Sequence, residues 1–542
     1  MSVFRTHVDR NDDGFVANRA AMARLVDRLR ELEARTEAVS DRSADRFAAR
    51  GQLTPRARVE HLLDPGAPSL ELATMAGWLE DTEDEDQSVP GGSQVAVIGF
   101  VSGTRCMVVA NDSGINAGAM TAPGQRKTER AQDIALANRL PLVMLVESAG
   151  ANLLDYRVEN WATGGRLFAN LARLSAAGMP VLTVLHGSAT AGGAYLPGLS
   201  DTVIGVRDRG RAHLAGPPLL QAATGEVADD EELGGVAMHA SVTGLVDHVA
   251  DDDADALRIA RQVVASMDWA RGWRHAGLPR GAVAEPVLDP EDLLGIATTD
   301  PRTPYDVREV VARIVDGSRL LEHAPRMGSA TVCMEAAIHG HAVGILGNNG
   351  PITNAGATKA THFIQRCSQR GTPLLFLQDT TGYMVGVDAE QGGMIKHGSK
   401  MIQAVTNATV PRITLMIGAS YGAGNYGMSG QGYDSRFLFS WPNARSGVMG
   451  PEQAATTMRI VAQARAERKG EPIDDDTLAA LEAHIIALYR AQESAFVTSG
   501  RGLDDGIIDP RDTRDLLGFL LATIAEGDAA TPTPVTFGVA RP

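Results

Sequence analysis

A chain of 542 residues, 44% hydrophobic and 21% charged with 58 glycines, is too long for one ordinary core and too apolar to be disordered, so two domains are expected. Its net charge of −16 opposes association with nucleic acid or an anionic membrane, and any anionic ligand needs a local basic pocket. Cys106, Cys333 and Cys367 lie far apart without a CxxC, which supports neither a zinc ribbon nor a disulfide framework.

The N-terminal MSVFRTHVDRNDDGF lacks the apolar core of a signal peptide, and no apolar run approaches the ~18 residues of a membrane span. With reduced thiols, this reads as a cytoplasmic chain. DRNDDG places Asp9, Asn11, Asp13 and Gly14 like the first half of a calcium loop, but Ala20 stands where the bidentate glutamate belongs. Residues 17–38 carry Met22, Leu25, Leu29 and Leu32 at helical spacing, an amphipathic packing helix. TEDEDQ at 82–87, followed by PGG, is a solvated loop.

Strand and helix then alternate. VAVIGFV and RCMVVAND predict strands, TERAQDIALANRL a helix, PLVMLVES a strand, GGRLFANLARLSAAG a helix and MPVLTVLHG a further strand. The fold class is therefore layered α/β. The second half repeats the first. PLVMLVESAG from Pro141 finds PLLFLQDTTG from Pro373 at 373 − 141 = 232, and MPVLTVLHGSATAGGAY finds VPRITLMIGASYGAGNY at 411 − 180 = 231. VVANDSG from Val108 finds ILGNNGP from Ile345 at 345 − 108 = 237. Three blocks in the same order at nearly constant spacing indicate an internal duplication. The Pro- and Asp-rich AEPVLDPEDLLGIATTDPRTPYDV reads as the linker, and a boundary near residue 290 gives domains 1–290 and 291–542.

Small residues follow the apolar strand in each copy: Ala191, Gly192 and Gly193, then Gly422, Ala423 and Gly424. Such a turn lets another molecule approach backbone amides, and free N–H groups at a helix start favour negative charge. Two such holes suit a reaction whose two reactants each carry a carbonyl that becomes an enolate. GASYG at 418–422 also satisfies G-x-S-x-G and would make Ser420 a nucleophile. However, the first copy has Ala189 there, and His484, the sole downstream histidine, sits in a packing helix. No HExxH, GxxxxGK[ST] or GxGxxG after a strand occurs. His186 beside the first turn reads as a packing or hydrogen-bonding residue.

TAGGAYLPGLSD, LAGPPLLQAATGEVADDEELGG, TPYDVREVVARIVDGSR, GILGNNGPIT, GASYGAGNYGMSG and FSWPNARSGVMGPEQAA together resemble the β (carboxyltransferase) subunit of biotin-dependent acyl-CoA carboxylases. The similarity runs from about residue 14 to about residue 530 and leans to the methylcrotonyl-CoA and geranyl-CoA branch. The resemblance implies two tandem crotonase-like domains of ββα-superhelix type. It implies amides at Gly192 and Gly193 on the thioester oxygen, and at Ala423 and Gly424 on the biotin ureido oxygen. Gly164, Gly165, Ala191, Ala194, Tyr195, Gly422 and Asn425 would line the substrates. Carboxybiotin on a separate α subunit would deliver CO2, and the freed biotin would take the proton, so this subunit needs no metal and no side-chain base. Arg126 and Lys127 are candidates for the CoA phosphates.

Gly164 stands where methylcrotonyl-type enzymes resemble one another in a bulky Phe and geranyl-type enzymes in a Gly, which implies a longer acyl pocket unless Trp161 or Phe168 refills the space. No AMKM-like biotinylation site or ATP-grasp signature occurs, so the resemblance implies a β6 ring within an α6β6 assembly, each site shared between two β subunits. A propionyl-CoA or other acyl-CoA carboxylase β subunit, a decarboxylase or transcarboxylase on the same fold, and a non-catalytic β-like assembly subunit remain as alternatives.

Overall fold

The computed structural model describes residues 1–150, 157–269, 278–279, 281–470 and 473–534. The chain forms two compact units, and each draws on both halves of the sequence. One comprises 1–30, 279–499 and 503–520; the other comprises 31–278, 500–502 and 521–542. The change of unit at 278/279 lies near the expected boundary, but the first 30 residues count with the second half and the last 22 with the first. Composition marks a linker; it does not reveal which core the two chain ends join.

Among the described residues sixteen strands build the sheets. They are β1 (Ser2–Val3), β2 (Leu70–Glu71), β3 (Gln94–Val101), β4 (Thr104–Asn111), β5 (Leu142–Ser148), β6 (Val181–Thr190), β7 (Thr202–Val206), β8 (Arg211–His213) and β9 (His248–Ala250), then β10 (Arg319–Glu322), β11 (Thr331–Ile338), β12 (His341–Asn348), β13 (Leu374–Thr380), β14 (Arg412–Tyr421), β15 (Phe437–Ser440) and β16 (Arg445–Gly447). One unit orders them β2-β3-β4-β5-β6-β7-β9 with β8 against β6; the other orders them β1-β10-β11-β12-β13-β14-β15 with β16 against β14. The path from β2 to β7 matches that from β10 to β15, with the same side branch, as a duplicated sequence should fold; the sheets differ in one edge strand, β9 beyond β7 in one and β1 before β10 in the other.

Both sheets open with an antiparallel hairpin and continue in parallel. The parallel strands are buried on both faces, which is why they read as continuous apolar runs. Val108, Val143, Leu145, Leu182 and Val184 anchor one core, and Leu346, Leu374 and Phe376 the other. Even the irregularities repeat: the register of β5 on β6 slips between Val146 and Ser148, and that of β13 on β14 between Gln378 and Thr380.

Two helices begin earlier than the apolar pattern indicates. The first runs Ala122–Ala137, because the Thr121 side chain accepts a hydrogen bond from Gly124 N and a proline sits in the first turn. The second runs Val158–Ala176. Asp13–Asp41 forms the N-terminal helix; since it starts at Asp13, the DRNDDG segment cannot wrap an ion as a calcium loop does. Among the described residues no helix is long and apolar enough to cross a membrane. The three cysteines are free and buried.

Candidate active site

β6 ends at Thr190 and the chain turns at once into a 3-10 helix, Ala191–Ala194, followed by Tyr195–Gly198. β14 ends at Tyr421 and turns into the helix Gly422–Gly427. Neither Thr190 nor Tyr421 caps its helix with a side chain. The first N–H groups of a helix have no partner within it, so each turn presents backbone donors at the C-terminal edge of its sheet. The left-handed residue of each turn falls at the same duplicated position, Ala191 at φ 54° and Gly422 at φ 60°. An alanine held there costs about 1–2 kcal/mol, so the first copy keeps the turn's shape without the residue that makes it cheap.

The glycines that follow differ in their surroundings. A Cβ on Gly193 would meet nothing within 4 Å, and one on Gly192 would only touch Phe168 Cζ at 3.5 Å. A Cβ on Gly424 would lie 2.8 Å from Gly382 Cα and 3.0 Å from Thr380 Cγ2. Open space thus lies over the first turn, whereas close backbone packing accounts for Gly424. Behind each turn stands one further glycine from the preceding strand. Gly150 accepts from Met120 N and its own N–H donates to Ser148 Oγ at 3.1 Å; Gly382 accepts from Ile352 N and donates to Thr380 Oγ1 at 3.2 Å. These pairs are related by 382 − 150 = 232 and 380 − 148 = 232, so the backing as well as the turn was duplicated.

The two turns are anchored by different chemistry. Under the first, Arg58 pairs with Glu147 and Asp253, and His186 Nδ1 bonds Asp253 Oδ1 at 2.8 Å; Arg58, His186 and Asp253 are all buried. Burial and the Arg58 charge push the His186 imidazole below its usual range. Against the Asp253 carboxylate Nδ1 donates, and a fully buried ring fits a hydrogen-bonding residue. Burial alone would raise the Asp253 carboxyl, but the His186 hydrogen bond and the Arg58 charge overcome it and bring it down to about 2.

In the second copy Asp379 replaces Glu147 without a cation: burial pushes it up to about 6 against a single hydrogen bond from Ala419 N. That turn is instead held by Glu493, which accepts from Tyr421 Oη at 2.7 Å and from Arg445 Nη1 at 3.1 Å. Tyr421→Phe should lower stability by about 1.5–3 kcal/mol, the worth of a buried hydrogen bond to a charged group, as a shift in the urea midpoint at unchanged slope.

Ser420 is fully buried and bonds Gln378 Oε1, while Asn425 Nδ2 donates to Ser420 Oγ at 2.8 Å. G-x-S-x-G is therefore a packing coincidence, and Asn425 spends its side chain inward, leaving only its backbone toward the turn. Ala194 is half-buried, Tyr195 is 48% exposed, and the Tyr195 and Phe168 rings meet edge-on at 5.7 Å. On the helix Val158–Ala176, Gly164 is half-buried and Gly165 is open. Trp161 is 73% exposed and Phe168 leans to Gly192; the atoms nearest a Cβ on Gly164 are those of the Gln125 amide, from 3.0 Å.

Lys127 corrects an expectation. It lies on the buried face of Ala122–Ala137 with Gly124, Ala131 and Ile134, and its Nζ donates to Gln94 O at 2.8 Å. Burial pulls its ammonium down to about 8, and it cannot meet a phosphate in solvent. Arg126, beside it, faces outward and pairs with Glu80.

A carboxyl transferase domain profile matches residues 46–535. The chain belongs to the carboxyl transferase family. Its two α/β units are of the crotonase type, as the resemblance implied. This carboxyltransferase is 46% identical to a probable biotin-dependent acyl-coenzyme A carboxylase beta2 subunit of Mycobacterium tuberculosis, over 99% of this chain and 100% of that one. It is 45% identical to the biotin-dependent 3-methylcrotonyl-coenzyme A carboxylase beta1 subunit of the same organism, over 93% of each. The crystal structure of the geranyl-CoA carboxylase beta subunit of P. aeruginosa superposes with a TM-score of 0.92 at 48% identity, covering 100% of both chains.

One further repeat of the carboxyltransferase emerges only from the strands. β8 pairs with the end of β6, Ala189 against Ala212, and β16 with the end of β14, Ser420 against Ser446. RAHLAGP at 211–217 thereby matches RSGVMGP at 445–451, at 445 − 211 = 234. In each, a glycine N-cap and a proline open a helix next to the turn, Pro217–Thr224 and Pro451–Lys469. The R-x4-G-P spacing was the available signal. Beside the second turn a cavity of about 910 Å³ is lined by Thr381, Tyr421, Arg302, Arg445, Glu452 and Arg490.

Proposed function

We propose that this carboxyltransferase is the β subunit of a biotin-dependent acyl-CoA carboxylase and carboxylates a branched, unsaturated acyl-CoA of the 3-methylcrotonyl or geranyl kind. The observation that carries the reading is the matched pair of amide turns, one left-handed residue in each at the same duplicated place. Amides at Gly192 and Gly193 hold the thioester oxygen. Those at Ala423 and Gly424 hold the ureido oxygen, beside a cavity with room for a ring. Open space at Gly193 fits the first group, and an uncapped helix start at each turn fits both.

Biotin, carried on a partner α subunit, supplies activated CO2 and the base for the substrate proton. The chain's own part is electrostatic. As the γ C–H bond of the vinylogous substrate breaks, charge moves onto the thioester oxygen, where preorganised N–H donors are worth about 3–4 kcal/mol each. The dienolate they hold forms the new C–C bond to CO2 through its γ carbon. A β6 ring within α6β6, with sites shared between subunits, completes the reading. Three buried free thiols favour a reducing, cytoplasmic setting.

Bicarbonate uptake by the chain plus a biotinylated α subunit and ATP, across 3-methylcrotonyl-, geranyl- and propionyl-CoA, tests the proposal. Uptake that does not depend on any acyl-CoA would sink it. Uptake confined to propionyl-CoA would move the enzyme to that branch. Gly164→Phe should lower kcat/KM for geranyl-CoA relative to 3-methylcrotonyl-CoA by on the order of tenfold or more, read as the ratio of the two values.

A further inference from the structure

The space beside Gly164 is not walled by hydrocarbon alone. A Cβ built on Gly164 would lie 3.0 Å from Gln125 Oε1, and Gln125 comes from the neighbouring helix Ala122–Ala137. That amide has a defined orientation. Gln125 Nε2 donates to Glu129 Oε1 at 2.9 Å, one turn further along the helix. With Glu129 accepting, the NH2 group faces Glu129 and the oxygen faces Gly164. Among the described residues no donor reaches Oε1. The side-chain position that Gly164 leaves free on one helix is thus closely abutted by an acceptor from the other.

An acceptor in an acyl pocket discriminates by what it is left without. A hydrocarbon tail packed against Oε1 displaces the water that satisfies it and puts nothing in its place, whereas a terminal hydroxyl donates to it. We propose that Gln125 is a specificity-determining residue at the distal end of the acyl pocket. It selects a branched unsaturated acyl-CoA that carries a hydrogen-bond donor on its far carbons over the plain hydrocarbon of equal length. The inference rests on the carboxyltransferase reading above and on Gly164 opening the acyl pocket. Gly164 sets how far the chain extends; Gln125 sets what its end is made of.

The test uses the complete enzyme with its α subunit and three substrates: 3-methylcrotonyl-CoA, too short to reach Gln125, geranyl-CoA, and geranyl-CoA hydroxylated at its terminal carbon. The wild type should show a kcat/KM about three- to tenfold higher for the hydroxylated chain than for geranyl-CoA, the worth of one neutral hydrogen bond. Gln125→Leu should level or invert that ratio while leaving 3-methylcrotonyl-CoA unchanged. Gln125→Met, nearer in length and a good helix former, should do the same and guards against a loss caused by repacking. An unchanged ratio in both variants, or an equal fall on all three substrates, would overturn the role of Gln125 while leaving the carboxylase reading intact. No carboxylation of any of the three by the wild type would overturn both.

Discussion

Gly193→Val is expected to fold normally and to lose acyl-CoA carboxylation by on the order of a hundredfold or more. The first half of that expectation rests on space. A Cβ at Gly193 meets nothing within 4 Å, and its φ is not among the left-handed ones, so the substitution strains neither packing nor backbone in the free chain. The second half rests on what the space is for. Valine keeps the N–H but puts two methyl groups over it, so a thioester oxygen can no longer come within the ~2.9 Å that a hydrogen bond requires. The two readouts are the thermal midpoint, which should stay near wild type, and acyl-CoA-dependent bicarbonate uptake with the α subunit. Full activity with normal stability would take the thioester oxygen away from the Gly193 amide. The corresponding change at Gly424 cannot serve, since its Cβ would press on Gly382 and a lost activity would carry no message.

Arg58→Met should be strongly destabilising, by about 3–5 kcal/mol, because it leaves the buried Asp253 and the part-buried Glu147 without their shared cation. Its pH dependence gives a second handle. Asp253 is depressed to about 2 when folded, against about 3.9 for a free aspartate. Its contribution to stability is therefore present above pH ~4 and lost as pH falls from ~4 towards 2. With Arg58 gone, burial is opposed by His186 and the Leu53 N–H alone, the folded and unfolded carboxyls titrate closer together, and the acid loss flattens. Urea midpoints of both proteins between pH 2 and 7 check the sign. A variant as stable as wild type at pH 7, with the same acid slope, would contradict the assignment.

The strand skeleton and its duplication were legible because parallel strands buried on both faces read as unbroken apolar runs, and because Pro141, Pro180, Pro373 and Pro411 punctuate them at matching offsets. The turns were legible for the same reason. Three things were hidden. Lys127 and Arg126 are adjacent and equally charged in the sequence, and only the rotation of their helix sends one inward and the other out. The anchor beneath the first turn is drawn from positions 58, 147, 186 and 253, a set with no spacing to recognise. The Arg211 and Arg445 repeat had spacing, but its middle residues diverged, and the pairing of β8 and β16 was needed to align it. Ala191 shows the same divergence within the turn itself, where the backbone angle outlived the glycine.

The exchange of chain ends sets the order of events on the ribosome. Residues 31–278 emerge first, yet their unit still lacks the stretch from 521, including Glu526, which pairs with Arg105 at 2.8 Å, and the carbonyls of Gly527 and Ala530 that Arg139 holds. β1, made before its partners, must meanwhile wait for residues 319 and 320. At about 5–20 residues per second, neither unit is complete until nearly the whole chain has left the tunnel. A nascent chain cut short before residue 520 therefore carries every strand of the first sheet, complete by Ala250, yet neither of the two units entire.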